Sequence, residues 1–257
     1  MVIFRIISRL DIKGEFVVKG IQLEGLRKIN DAKVLAEQYY NQGADELALL
    51  DIVASLYKRD NLFSLITQIA AELRIPLTAI GGIRTLKDAQ DVFEAGADKL
   101  GVNSSAIADP KFISQIARTY GSQSVVCSVE AQKANLNNSW FCFTENGRNN
   151  SGVQVKNWIP NLDLLGAGEL FLTSVDRDGT NEGPDFELCK ISRDLTQLPI
   201  IYSGGIRNSE DIYQLYKIGL DGCAVGSALH YDRLKISEIK SNLSLLGVPV
   251  RSVESSI

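Results

Sequence analysis

The chemistry open to this chain rests on two glycine pairs and a set of acids spaced along apolar runs. Gly81-Gly82 and Gly204-Gly205 leave no Cβ between backbone N–H groups and an incoming anion. After the next apolar run each pair is followed by a small hydroxyl residue, Ser104 or Ser227, able to add a hydroxyl and a helix start. Gly226 immediately precedes the second of these. One Gly-Gly-Ile-Arg alone reads equally well as a tight turn; two copies, each with its hydroxyl residue, suit a small molecule with a phosphate at either end. Asp11, Asp51, Glu130, Asp176 and Asp178 stand at or just beyond the ends of apolar runs, as do Asn103, Thr173 and Ser203. Acids facing each other over a bound substrate can exchange protons with it, although each taken singly serves as readily to cap the next helix. Lys19 can add positive charge to one end of a ligand, and reads as well as a solvated lysine.

The two glycine pairs belong to an internal repeat. Pro76 matches Pro199, 123 positions on, and that offset carries Gly81-Gly82-Ile83-Arg84 onto Gly204-Gly205-Ile206-Arg207. It also pairs Asp88 with Asp211, Gly96 with Gly219, Asp98 with Asp221, Ser104 with Ser227 and, further back, Gly43 with Gly166 and Glu46 with Glu169. The chain is expected to hold two half-domains, about 1–122 and 123–257, within a single domain spanning 1–257.

Short apolar runs at Val2–Leu10, Glu46–Ile52, Leu77–Ile80, Lys99–Val102, Ser124–Val129, Glu169–Thr173, Ile200–Ser203 and Gly222–Val225 predict eight strands. Helix-period stretches separate them. In Asp60–Leu73 the residues Leu62, Leu65, Ile66, Ile69 and Leu73 share one face, and Thr85 with Asp88 forms a capping box ahead of the helix to Ala95. This βα alternation, doubled, predicts an α/β fold: one closed (β/α)₈ TIM barrel made of two half-barrel repeats. Trp140–Thr144 followed by Asn146-Gly147 predicts a hairpin inserted after the fifth strand. Gly14–Leu26 reads as a long loop after the first strand, a lid with Gly14 and Gly20 as hinges.

Composition narrows the function further. A 257-residue chain with 45% hydrophobic residues can bury one large core, and a net charge of −4 gives no footprint for nucleic acid. Cys127, Cys142, Cys189 and Cys223 are too scattered for a zinc site and read as reduced core thiols of a cytoplasmic protein. The only histidine, His230, excludes a multi-histidine metal site and reads as a surface or helix-start residue. No run is long enough for a membrane span, and no metal or cofactor is expected.

Several stretches, taken together, carry a resemblance over nearly the whole chain: Leu10-Asp11-Ile12-Lys13, Val17-Val18-Lys19-Gly20, Leu50-Asp51, Asn103-Ser104, Leu172-Thr173-Ser174, Asp176-Arg177-Asp178-Gly179-Thr180 and Gly247-Val248-Pro249-Val250-Arg251. The sequence resembles the cyclase subunit of imidazole glycerol phosphate synthase, the HisF family. The resemblance implies a glutaminase subunit (HisH-like) docked on the N-terminal face as a heterodimer, with ammonia passing up the barrel core. The implied substrate is a bisphosphorylated ribulosyl aminoimidazole-carboxamide nucleotide, and the products are imidazole glycerol phosphate and an aminoimidazole-carboxamide ribotide. It places the catalytic pair on Asp11 and Glu130, and a charged ammonia gate on Arg5, Glu46, Lys99 and Glu169. One phosphate falls to Lys19, Gly82, Asn103 and Ser104. The other falls to Asp178, Gly204, Gly205 and Ser227, with Asp51, Thr173, Gly179, Ser203 and Gly226 around the substrate.

This chain departs from the family at several of these places. Glu130 stands where the family has aspartate, Arg9 where a cysteine is expected, Val53 for threonine and Ile80 for glycine, and Gly183-Pro184-Asp185 is less typical of the cyclase and slightly resembles the sister isomerase family. Arg9 is expected to lower the pKa of Asp11. The departures motivate an alternative: a HisF-like synthase subunit that delivers ammonia to another acceptor, such as a sugar nucleotide for surface polysaccharide. A non-catalytic barrel that only activates a glutaminase is a third reading.

Overall fold

The computed structural model describes residues 2–52, 60–134 and 139–252. Twelve strands form one sheet: β1 (Arg5–Lys13), β2 (Phe16–Ile21), β3 (Glu24–Asp31), β4 (Glu46–Asp51), β5 (Leu77–Ile80), β6 (Lys99–Val102), β7 (Val125–Lys133), β8 (Trp140–Thr144), β9 (Asn149–Gln154), β10 (Glu169–Ser174), β11 (Ile200–Ser203) and β12 (Gly222–Val225). Eight of them run parallel in the order β10-β11-β12-β1-β4-β5-β6-β7, and β7 pairs with β10 to close the ring. Closure leaves the parallel ladder no free edge, so each strand is covered on both sides and its sequence is apolar almost throughout.

Alternation along each strand sorts the side chains. On β1, Ile6, Leu10 and Ile12 face out and join the main core beneath the helices, while Ile7 faces in. The interior holds a second, smaller cluster that includes Ile7, Ala48, Leu50, Ile80, Val126, Phe171, Ile201 and Ala224. The four cysteines are buried and free.

The repeat survives as geometry. Asp98 accepts a backbone N–H from Leu77 at 2.8 Å and Asp221 accepts one from Ile200 at 2.9 Å, so one aspartate ties down the start of a strand in each half. Gly81 and Gly204 have φ of 107° and 122°, Gly82 and Gly205 of 72° and 74°. A Cβ on Gly81 would lie 2.6 Å from the Asp51 carbonyl oxygen, and one on Gly204 2.8 Å from that of Ser174. Backbone packing thus requires Gly81 and Gly204, and positive φ favours glycine at all four positions. The helix Leu86–Glu94 carries the capping box predicted from Thr85 and Asp88.

Four expectations need correction. The first strand begins at Arg5 and runs on to Lys13, because its end pairs antiparallel with β2. Asp11 therefore lies within a strand, not after one. The Gly14–Leu26 segment is not an open loop: it contains β2 and the start of β3, which pair with each other. Gly20 is no hinge, since a Cβ there would collide with the backbone of Glu24. His230 is buried, not on the surface, with Nδ1 2.8 Å from the Tyr39 hydroxyl. The hairpin after β7 forms as expected, with Glu145, Asn146 and Gly147 at positive φ in its turn.

A ring of ion pairs forms the barrel floor from the first residues of four strands. Arg5 lies 3.2 Å from Glu46 and 2.9 Å from Glu169, and Lys99 lies 2.8 Å from Glu46 and 3.2 Å from Glu169. Each buried carboxylate is shared by two cations, which offsets its desolvation. Lys99→Met leaves two carboxylates facing one guanidinium, and should cost about 3 kcal/mol of stability. Urea unfolding checks this; an unchanged midpoint would show that the ring adds nothing to folding.

Candidate active site

Among the described residues, the C-terminal ends of the parallel strands border two cavities of unequal size. One, of about 810 Å³, is bordered by Asp51, Gly81, Gly82, Asn103, Ser104, Ser128, Glu130 and the hairpin residues Glu145 and Asn146. The other, of about 10 Å³, has room for about one water and is bordered by Lys19, Asp178, Gly179, Ser203, Gly204, Gly205, Gly226 and Ser227. The fold thus gathers the predicted phosphate residues into two groups split as the repeat requires, with one exception. Lys19 belongs to the second group, not the first. Its strand pairs with β1, which neighbours β12, and its side chain comes near Gly226. Asn103 and Gly226, equivalent by the repeat, share an unusual backbone (φ −128°, ψ −83° and φ −117°, ψ −87°) just ahead of their hydroxyl residues.

Asp11 and Glu130 stand on β1 and β7, four strands apart around an eight-stranded ring, and so on opposite walls. Their surroundings differ. Arg9 Nε donates to Asp11 Oδ1 at 2.7 Å, and Lys19 Nζ donates to Oδ2 at 2.7 Å. Burial alone would raise the Asp11 pKa, but Arg9 and Lys19 outweigh it and hold the carboxyl well below the usual carboxylate range. The effect expected of Arg9 is thus present, and Lys19 adds to it. On Glu130, Oε2 accepts the Gly147 backbone N–H at 2.7 Å. Burial there prevails over that bond and over the Arg9 charge, and pushes the carboxyl up to about 7.

Arg9, expected from the sequence to act on Asp11, has further partners that the sequence did not show. Its Nη1 donates to Asp178 and Ser203 at 3.1 Å each and reaches Thr173 at 3.5 Å. Residues 9 and 11 share a face of the extended strand, so both side chains enter the barrel. The hairpin tip is the part of the site that sequence reasoning missed. Glu145 donates its N–H to the Ser104 hydroxyl at 3.1 Å, and Asn103 Nδ2 donates to the Phe143 carbonyl at 3.0 Å, so the hairpin roofs the larger cavity. Of the departures, Ile80 fills the barrel interior beside Gly101, where any Cβ would strike it. Asp185 caps the helix Phe186–Leu195. Val53 lies outside the described residues. Among the described residues no group of three or more His, Cys, Asp or Glu side chains is placed to hold a metal, and none of their helices is long and apolar enough to cross a membrane.

A closed (β/α)₈ barrel with opposed acids and two glycine cradles at its C-terminal mouth has the architecture of barrel enzymes, whose active sites lie at that face. Residues 5–235 match the family model described as "Histidine biosynthesis protein". The chain is 40% identical to imidazole glycerol phosphate synthase subunit HisF of Dictyoglomus thermophilum over 247 residues, 96% of this chain and 98% of that protein. It is 41% identical to the HisF subunit of Clostridium beijerinckii over 248 residues, 96% of this chain and 98% of the relative. The identity is 46% to that of Legionella pneumophila over 207 residues, 80% of this chain and 97% of the relative. The chain belongs to this histidine-biosynthesis family, and its resemblance to the HisF subunits extends over nearly its whole length.

The two acids should affect stability with opposite signs. Asp11 is depressed in the folded state, so its contribution is complete above its unfolded value of about 3.9 and disappears as pH falls further. Glu130 is raised to about 7, so ionising it costs stability as pH climbs from about 4.3 through that value. Glu130→Gln should therefore unfold at the wild-type urea concentration at pH 4 and at a higher one at pH 8. Asp11→Asn should flatten the acid limb of the stability curve. Equal midpoints for Glu130→Gln and wild type at pH 8 would contradict the first statement.

Proposed function

We propose that this chain is the ammonia-using cyclase of imidazole glycerol phosphate synthase, a lyase of histidine biosynthesis. It converts the ribulosyl aminoimidazole-carboxamide nucleotide to imidazole glycerol phosphate and an aminoimidazole-carboxamide ribotide. The observation that carries the reading is the cavity of about 810 Å³, which joins a glycine cradle and Ser104 to the carboxyl of Glu130. A phosphate held by Gly82, Asn103 and Ser104 would place the rest of the nucleotide along the Glu130 wall. The other phosphate falls to the cradle of Asp178, Gly179, Gly204, Gly205, Gly226 and Ser227, where Lys19 must move aside to admit it, since the cradle as it stands has room for about one water. Asp51 borders the first of these sites, Ser203 the second, and Thr173 lies 3.5 Å from Arg9.

The chemistry follows from the acids. Adding ammonia to a carbonyl carbon requires a proton delivered to oxygen and another removed from nitrogen. A carboxyl that titrates near 7 can do both, and Glu130 is raised to about that value. Asp11, kept anionic, stabilises positive charge as it develops on the nitrogen. Ammonia itself would come from a HisH-like glutaminase on the N-terminal face. It would enter past the gate of Arg5, Glu46, Lys99 and Glu169. Beyond that ring the interior is lined by Ile7, Ala48, Val126, Phe171 and Ala224, a path that admits neutral ammonia and penalises ammonium. Such a two-subunit enzyme is cytoplasmic and needs no cofactor.

Delivery of ammonia to another acceptor, the alternative raised by the substitutions, is not favoured. Relatives matched over nearly the whole chain bear the histidine-pathway name. Ammonium salt at alkaline pH should let the purified chain consume the ribulosyl nucleotide, and the gene should rescue a histidine auxotroph; failure of both would reject the reading. Asp11→Asn and Glu130→Gln should each lower turnover by about 10²-fold or more, whereas a barrel that only activated a glutaminase would lose nothing.

A further inference from the structure

The two acids differ in how they are held as well as in how they titrate. Both oxygens of Asp11 are capped by cations at 2.7 Å. Those cations are themselves anchored: Lys19 lies 2.7 Å from Asp178, and Arg9 lies 3.1 Å from the same carboxylate. Two cations and two anions, all buried, thus form a closed group of no net charge. Asp11 borders neither of the two cavities described above, whereas Glu130 borders the larger one. Glu130 is held by a neutral donor, the Gly147 N–H at the hairpin tip.

The geometry points to Arg9 as a positioning residue that divides the work of the acids: it fixes Asp11 as a permanent, immobile carboxylate and leaves proton exchange to Glu130. This deepens the reading under Proposed function, and rests on it for the identity of the substrate. The division itself is a property of the free protein.

Arginine suits the task because its planar fork can serve several acceptors at once. From β1 the guanidinium meets Asp11 on its own strand, Thr173 on β10, Ser203 on β11 and Asp178 beyond β10. It thereby braces three barrel strands directly beneath Asp11. Lys19 cannot do this alone, because it also borders the second cradle. A phosphate arriving there competes with Asp11 for the ammonium, and Arg9 keeps the carboxylate charged when Lys19 turns away.

The surrounding charges agree. Asp11 is faced by Arg9, Lys19, Asp178 and His230 as well as Glu130 across the mouth. Glu130 is faced by the Gly147 N–H and Arg9, which favour its anion, and by Asp11 and Asp178, which disfavour it. Burial tips that balance toward the protonated acid.

Carboxylate ¹³C NMR on the full chain tests the proposal, with Asp11→Asn and Glu130→Gln assigning the two signals. In the wild type Glu130 should titrate near pH 7 and Asp11 should stay flat from pH 8 down to about 4. In Arg9→Met the Asp11 midpoint should rise by about one unit or more, and Arg9→Lys should return most of that shift. With the free ammonia concentration held constant, Arg9→Met should lower kcat by about 10²-fold with KM little changed, add an ionisation to the acid limb of the pH profile, and be partly rescued by Arg9→Lys. An Asp11 signal titrating between pH 5 and 8 in the wild type would overturn the division, as would one unmoved in Arg9→Met. Should Arg9→Met not fold, the wild-type titration and Arg9→Lys decide the matter, since a cation at residue 9 must still keep Asp11 flat. Absence of wild-type turnover would count against the reaction and not against the division, which the NMR settles by itself.

Discussion

A buried quartet of charges sets the terms for the whole mouth of this barrel. Arg9, Asp11, Lys19 and Asp178 come from three separate stretches of chain and meet in a space from which water is almost excluded. Any one of them left alone there would cost several kcal/mol. Together they are tolerable only if strand β1, the β2–β3 hairpin and the loop after β10 keep their relative places. The quartet therefore acts as a geometric lock. The segment after the first strand folds down as a paired hairpin because Lys19 has two carboxylates to reach, at 2.7 Å each.

The same lock makes a symmetric scaffold asymmetric. Both halves present a glycine pair in matching left-handed conformations, followed by a residue of matching odd backbone and a serine. In the first half these groups border a cavity of about 810 Å³; in the second they border one of about 10 Å³. The difference does not lie in the repeated residues. It lies in what has been added over each: the inserted β8–β9 hairpin roofs the first cradle from its rim, bonding Asn103 and Ser104, while Lys19 and Asp178 border the second directly.

Charge is also layered along the barrel axis. A neutral ring of two cations and two anions closes the floor. An apolar layer including Ile7, Val126, Phe171 and Ile201 lies above it, and the quartet tops that layer on the β1, β10 and β11 side. A small uncharged molecule crosses such a stack more readily than an ion does. That order agrees with a barrel that receives ammonia at one end and uses it at the other. Glu130, raised by burial, stands on the wall that the quartet does not reach.

Much of this was legible in the residues alone. Strand number and position followed from apolar run length, since a strand buried on both faces has few polar alternatives. Closure followed from the repeat, and the two glycine cradles followed from glycine pairs that tolerate positive φ. Asp11 and Glu130 were picked out as acids near the ends of apolar runs and made a pair by the family resemblance, and the effect of Arg9 on Asp11 followed from a cation so near it in the chain. Other features depended on contacts between residues far apart in the chain. Lys19 joined the second cradle and not the first because β1 neighbours β12. His230 was buried against Tyr39, 191 positions away. Glu130 received its hydrogen bond from a hairpin tip 17 residues on. Periodicity and spacing report which face a side chain takes, a local property of the backbone. Which charge lies opposite, and how much water remains between, is set by the packing of distant segments, and only the tertiary structure could decide it.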